Sequence, residues 1–189
     1  MSDTGWVSPG TVVNDSSVGT DAWSNPTNAR ASDNTYAITK RDGYGFSYEE
    51  AIKIVKSNGT IGSSNKSTGA RLPLTEQYIS YGGSSDLWGE TWSYTDINDS
   101  DFGVVFQVEN RNFADITYSN YLKATNFGFN IPSGATIEGL EVQIEQWLND
   151  HYDSHNNTAE VDHIRIKVYY TESGTPTVGV KYPLPAFKR

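Results

Sequence analysis

Three clusters in this chain bring chemistry-bearing side chains close together. In WLNDHYDSHNN, Asp150, His151, Asp153 and His155 offer carboxylate and imidazole, ligand types suited to a divalent metal. The stretch reads as a polar loop between two strands, with no regular element to fix ligand directions, so no metal site is assigned to it. In SYTDINDSDFG, Asp96, Asn98, Asp99 and Asp101 supply the closely spaced oxygens that calcium takes. Counted from Asp96, however, the sixth position is Asp101 where an EF-hand needs glycine, and the twelfth is Gln107 rather than glutamate. The expectation here is one helical turn, capped by Thr95 or Asp96 and ending before Phe102. Finally, Asp162 adjoins His163 in a serine-rich chain, which is the raw material of a hydrolytic triad. Strand alternation would send those two side chains to opposite faces, and no G-x-S-x-G elbow is present. No catalytic residue, metal or cofactor is therefore expected, and the chain is read as a non-enzyme.

A fourth group is aromatic. Trp88, Trp92 and Tyr94 in DLWGETWSYTD have the make-up of an exposed platform on which sugar rings stack. The competing expectation, favoured because burying an indole stabilises a fold, makes them core residues that seal one end of the structure.

The elements that hold these groups are strands. In Leu140 to Glu145, Leu140, Val142 and Ile144 fall on one face and Glu141, Gln143 and Glu145 on the other, the period of a sheet with one side buried and one side wet. Phe102 to Glu109 and Val161 to Tyr170 repeat that grammar, and further strands are expected near Tyr36 to Thr39, Ala51 to Lys56, Gln77 to Tyr81 and Tyr121 to Phe129. In Ala51 to Lys56 the apolar Val55 shares a face with Lys53, opposite Ile52 and Ile54, which predicts a strand partly covered on both sides. Gly, Ser, Asn, Asp and Pro clusters separate the strands at sheet-like spacing. The pattern predicts an all-β, antiparallel, jelly-roll-like sandwich over residues 35–171. It is flanked by an irregular N-terminal arm over 1–34, anchored by Trp6 and Trp23, and an extended C-terminal arm over 172–189.

Composition narrows the class further. A length of 189 residues suffices for one full core. With no cysteine there is neither a disulfide framework nor a thiolate, and packing must supply stability, for which five Trp, twelve Tyr and seven Phe are available. A net charge of −9 repels phosphate and argues against nucleic acid as a partner. No run approaches the ~18 apolar residues of a membrane helix, and the start, MSDTGWVSPG, has no signal-peptide pattern, so no membrane partner and folding in cytoplasm are expected.

The segments DAWSNPTNARASDNTYA, YGGSSDLWGETWSYTDINDSDFGV, SNYLKATNFGFNIPSGATIEGLEVQIE and AEVDHIRIKVYYT, which together cover less than half of the chain, resemble those of bacteriophage-encoded, β-rich virion structural proteins. One departure stands out: in the pattern of that group the IPSGATIEGLEVQIE block precedes the YGGSSDLWGETW block, and here it follows, as in a permuted or segment-swapped sandwich. The resemblance implies a virion structural protein made in host cytoplasm, a capsid decoration or head-associated subunit with other virion proteins and copies of itself as partners. The alternative it leaves open is a tail- or fibre-associated carbohydrate- or receptor-binding module.

The C-terminal arm fits an adhesive role. Val178, Val180, Tyr182 and Leu184 alternate as along a sheet edge, with Phe187 beyond them, and Pro176, Pro183 and Pro185 preset extended backbone. Lys181, Lys188 and Arg189 make it basic on an otherwise acidic chain, which suits the acidic surface of a neighbouring subunit.

Overall fold

A computed structural model describes residues 1–40, 45–112, 115–149 and 157–173. The chain forms β1 (Ser2–Asp3), β2 (Thr11–Asp15), β3 (Trp23–Ser24), a 3-10 turn over Pro26–Ala29, β4 (Ala37–Lys40), β5 (Gly45–Val55) and β6 (Gln77–Gly83). After the single turn of helix α1 (Tyr94–Ile97) come β7 (Gly103–Asn112), β8 (Ile116–Tyr118), β9 (Tyr121–Thr125), β10 (Thr136–Asn149) and β11 (Thr158–Thr171). Two antiparallel sheets result. The first runs β3-β4-β11-β10-β6 with β1 added to β11, and the second runs β2-β9-β7-β5 with β8 added to β7. The all-β antiparallel sandwich expected from alternation is present, whereas these ladders do not establish a jelly-roll connection.

The core lies between the inner faces. Leu140, Val142 and Ile144 of β10 and Ile164, Ile166 and Val168 of β11 are fully buried, together with Val104 and Phe106 of β7 and Ile52 and Ile54 of β5. Val55 turns the other way and joins Ala51, Val105 and Tyr121 in a small outer cluster roofed by Val18 and Ile61, so β5 and β7 are covered on both sides.

Residues 1–34 are more regular than an irregular arm. Ser2 and Asp3 pair with Tyr170 and Tyr169, Val7 bridges to Ile166, β2 pairs along β9, and β3 pairs with β4. These contacts are too short for alternation to register in the sequence, yet they tie the segment into both sheets. Trp23 is an anchor as expected: its buried indole Nε1 donates to the Asn120 carbonyl at 2.8 Å. Strand β9 ends at Thr125 rather than Phe129, because Asn126 and Gly128 take positive φ and turn the chain.

Two bulges break the period. Between β5 and β7, Glu49 faces Val108 and Ala51 faces Gln107, leaving Glu50 as the extra residue. Between β10 and β11, Glu145 faces His163 and Gln146 faces Val161, so Asp162 is extra. Both bulges re-aim carboxylates, and both shape the surfaces described next.

Candidate functional site

Among the described residues, ionisable groups gather most densely on the outer face of the first sheet. Glu76 precedes β6, Glu145 lies on β10 and Asp162 is the bulge residue of β11, and one carboxylate oxygen from each lies within 4.8 Å of the others. The Asp162 carboxylate accepts from the backbone N–H groups of Asp33 and Asn34, and Glu76 accepts from the Tyr36 hydroxyl at 3.3 Å. Oε1 of Glu76 and Oε2 of Glu145 are buried with no hydrogen-bond partner among the described residues. Burial, reinforced by the Asp162 and Glu145 charges, pushes the Glu76 carboxyl above its ordinary range. Burial also raises Asp162, against the pull of its two backbone donors. Partial burial, then the Glu76 and Asp162 charges, pushes half-buried Tyr36 up to about 12. Chemically, three converging carboxylates, two of them with an unpartnered oxygen, can hold a proton or accept a positive charge.

Beside this cluster, the His163 ring lies between two hydroxyls, with Ser8 Oγ 2.8 Å from Nε2 and Tyr78 Oη 2.8 Å from Nδ1. Burial, then the Arg165 charge, holds His163 below the usual histidine range. The expectation that Asp162 and His163 face opposite ways is thus corrected: the bulge turns both toward the outer face. Although Ser8 and His163 are a hydroxyl and a base in contact, neither of the two cavities described below is lined by them.

The same face carries a ladder of cations on aromatic rings. Arg165 lies over Tyr78 at 3.9 Å and Trp6 at 4.8 Å, and Lys167 over Trp6 at 4.4 Å. Gln143 Oε1 accepts from Arg165, and Glu141 accepts from Tyr169, whose hydroxyl is pushed up to about 12 by that bond and by burial.

Strand β6 ends the first sheet and pairs only with β10 among the described residues. Opposite its free edge runs the segment that shields β5, through Lys66 N to the Ile52 carbonyl and Leu72 N to the Ser47 carbonyl. Between them lies a slot of about 440 Å³ lined by Lys66, Arg71, Pro73, Ile79 and Tyr81, with Glu49 at its inner end. The Glu50 bulge points Glu49 inward, where its carboxylate is saturated by Tyr81, Gln146 and Thr68. The Arg71 guanidinium stacks 3.5 Å over Phe46, and its Nε is buried without a partner among the described residues. A second hollow of about 350 Å³, between Asp21, Lys40 and Asn112, has no comparable edge beside it.

The aromatic group is internal. Trp88 and Trp92 are buried, their indole Nε1 atoms donating to the Leu140 and Leu87 carbonyls at 3.0 Å, and Tyr94 packs against the core. Trp92 meets Phe102 edge-on at 5.4 Å, and Phe102 meets Phe129 at 5.9 Å, so the two indoles belong to the core and are not exposed for stacking on a glycan. The turn after it is capped by Ser93 rather than Thr95 or Asp96: Ser93 Oγ accepts from Asp96 N, and the Asp96 carboxylate accepts from Ser93 N. The Ser93 hydroxyl and then the Ser93 N–H, both donating to the carboxylate, hold Asp96 below the ordinary carboxylate range. The Asp150 to His155 loop and the interaction residues Val178, Val180, Lys181, Tyr182, Leu184, Phe187, Lys188 and Arg189 lie outside the described residues.

Comparison with known proteins gives no match to a family model, to a curated protein or to a solved structure.

Proposed function

We propose that this chain is a virion structural protein, a capsid decoration or head-associated subunit that attaches to neighbouring virion proteins and to copies of itself. The reading is adhesive, not catalytic. The observation that carries it is the edge of β6, a seven-residue strand that pairs only with β10 among the described residues and lies beside a ready-made slot, whereas the facing edge strand of the other sheet, β5, is shielded by its own following segment.

The arrangement of the two family-like blocks supports the reading. YGGSSDLWGETW and IPSGATIEGLEVQIE pack as one unit, with Leu140 N donating to the Asp86 carbonyl and Trp88 Nε1 to the Leu140 carbonyl. Exchanging their order along a chain leaves such a unit available, which reconciles the reversed order with the resemblance. Burial of Trp88 and Trp92 removes the platform on which a carbohydrate-binding alternative depended. Mass spectrometry of gradient-purified particles provides the test. The protein is expected in many copies per particle, and its absence from intact particles would overturn the proposal.

A further inference from the structure

We infer that the free edge of β6 is the docking site for the C-terminal segment of a second copy of this chain. Residues 178–184 add there as an antiparallel strand, with Val178, Val180, Tyr182 and Leu184 facing the slot beside Ile79 and Tyr81. The inference rests on the assembly role proposed above and names the surface that exerts it.

Register supports the match. Ile79 and Tyr81 pair with Ile144 and Val142, so they share the inward face, while Tyr78 and Ser80 pair with Glu145 and Gln143 on the outer face. Opposite residues of an antiparallel pair point to the same side. With Val178 opposite Gly83, Val180 falls opposite Tyr81 and Tyr182 opposite Ile79, all inward, and Lys181 falls opposite Ser80 on the outer face. That face carries the Glu76, Glu145 and Asp162 carboxylates, with Glu76 Oε1 and Glu145 Oε2 unpartnered among the described residues, and the incoming segment brings Lys181, Lys188 and Arg189 with no acid. The charges are complementary. Pro183 falls at an edge position, where the missing N–H is tolerated.

Reach selects a second copy over the chain's own tail. The described chain ends beside Gly134, to whose carbonyl the Ser173 hydroxyl donates. From there to the position opposite Gly83 is the length of Gly134 to Leu140, ~20 Å along the strands, and three strand spacings, ~14 Å across, hence roughly 24 Å. The link from Ser173 to Val178 spans at most ~18 Å. The corner between is also filled, since a Cβ on Gly139 would sit 2.3 Å from the Gly83 carbonyl oxygen.

The chain has no cysteine, which makes disulfide trapping clean. In the full-length protein, Ser80→Cys combined with Lys181→Cys places the two thiols opposite each other at bridgeable spacing. Mild oxidation at high protein concentration is expected to give covalent dimers and higher species on non-reducing gels. The control pair Val13→Cys with Lys181→Cys, whose first partner is exposed on another edge, should stay monomeric, and deleting residues 175–189 should abolish self-association of the folded protein. A folded Ser80→Cys/Lys181→Cys protein that forms no link would overturn the inference, and one that closes only within a monomer would overturn the second copy as occupant. If the link forms while particles lack the protein, the virion assignment fails and the docking site stands. If particles contain it but no link forms, the reverse holds.

Discussion

Replacing Glu76 with glutamine should stabilise this protein at neutral and alkaline pH. Three carboxylates converge within 4.8 Å at the site, two with unpartnered buried oxygens. At that separation an effective dielectric of about 20 gives each like-charged pair ~3.5 kcal/mol of repulsion, before solvent screening of the half-buried Glu76 and Glu145. Glutamine keeps an oxygen for the Tyr36 hydroxyl and adds an amide that can donate to Glu145. After screening, a net gain of ~1–2 kcal/mol is expected, hence a rise of roughly 2–8 °C in Tm for a chain of this size. The sign of the pH dependence follows from linkage. Glu76 and Asp162 have folded pKa values above their unfolded ones, so their contribution is fully present below the unfolded values and is lost as pH rises through the folded ones. His163 acts oppositely, since its depressed pKa removes stability as pH falls through the histidine range. Thermal melts between pH 4 and 8, recorded in EDTA so that no stray cation neutralises the cluster, should show wild type falling above the carboxylate range and Glu76→Gln falling less. A variant less stable than wild type at pH 8, or an unchanged pH profile, would refute the reasoning.

Two further outcomes test the framework around these surfaces. Ile144→Ala removes a fully buried side chain from the centre of β10 and should cost ~2–5 kcal/mol in urea denaturation. Gln143→Ala, which loses only its bonds to Ser80 and Arg165, should cost ~0.5 kcal/mol or less, and equal losses would mean the register is wrong. Gly82→Ala should destabilise by roughly 2–4 kcal/mol and perturb tryptophan emission, because Gly82 takes φ +78° and an added Cβ would lie 2.3 Å from the Leu140 carbonyl oxygen and 2.6 Å from the Trp88 indole. A silent Gly82→Ala in both measurements would contradict the packing of Trp88 against β6.

Most of the framework was legible because half-buried strands announce themselves by period. The inward sets of β7, β10 and β11 and the double coverage of β5 all follow from alternation, and the buried indoles follow from the energetics of large apolar surface. The pairing of residues 1–34 was not legible. Strands of two residues such as Ser2–Asp3 and Trp23–Ser24 hold no full period, and partners as remote as Tyr170 leave no local mark. The Ser93 cap was partly legible, as its capping box uses aspartate at the third position instead of the more usual glutamate.

The acidic cluster escaped for one physical reason. Strict alternation from Ile164 back along β11 sends His163 outward and Asp162 inward, into the core, where an unpaired carboxylate would be costly. The fold avoids that cost by inserting one extra residue at Asp162, so Val161 regains the inner face while Asp162 stays outside beside Glu145. An aspartate flanked by Val161 and Ile164, where alternation demands an apolar residue, is itself a readable sign that the period must break there. The Glu50 bulge obeys the same logic in reverse, delivering Glu49 to an interior already furnished with Tyr81 and Gln146 as donors, with the exposed Thr68 closing it from outside. In this sandwich the positions that violate the period are therefore the ones that build its polar surfaces. The bulge at Asp162 sets a third carboxylate beside the Glu76 and Glu145 oxygens that lack a partner among the described residues, and the basic C-terminal segment of a neighbouring copy carries charge of the opposite sign.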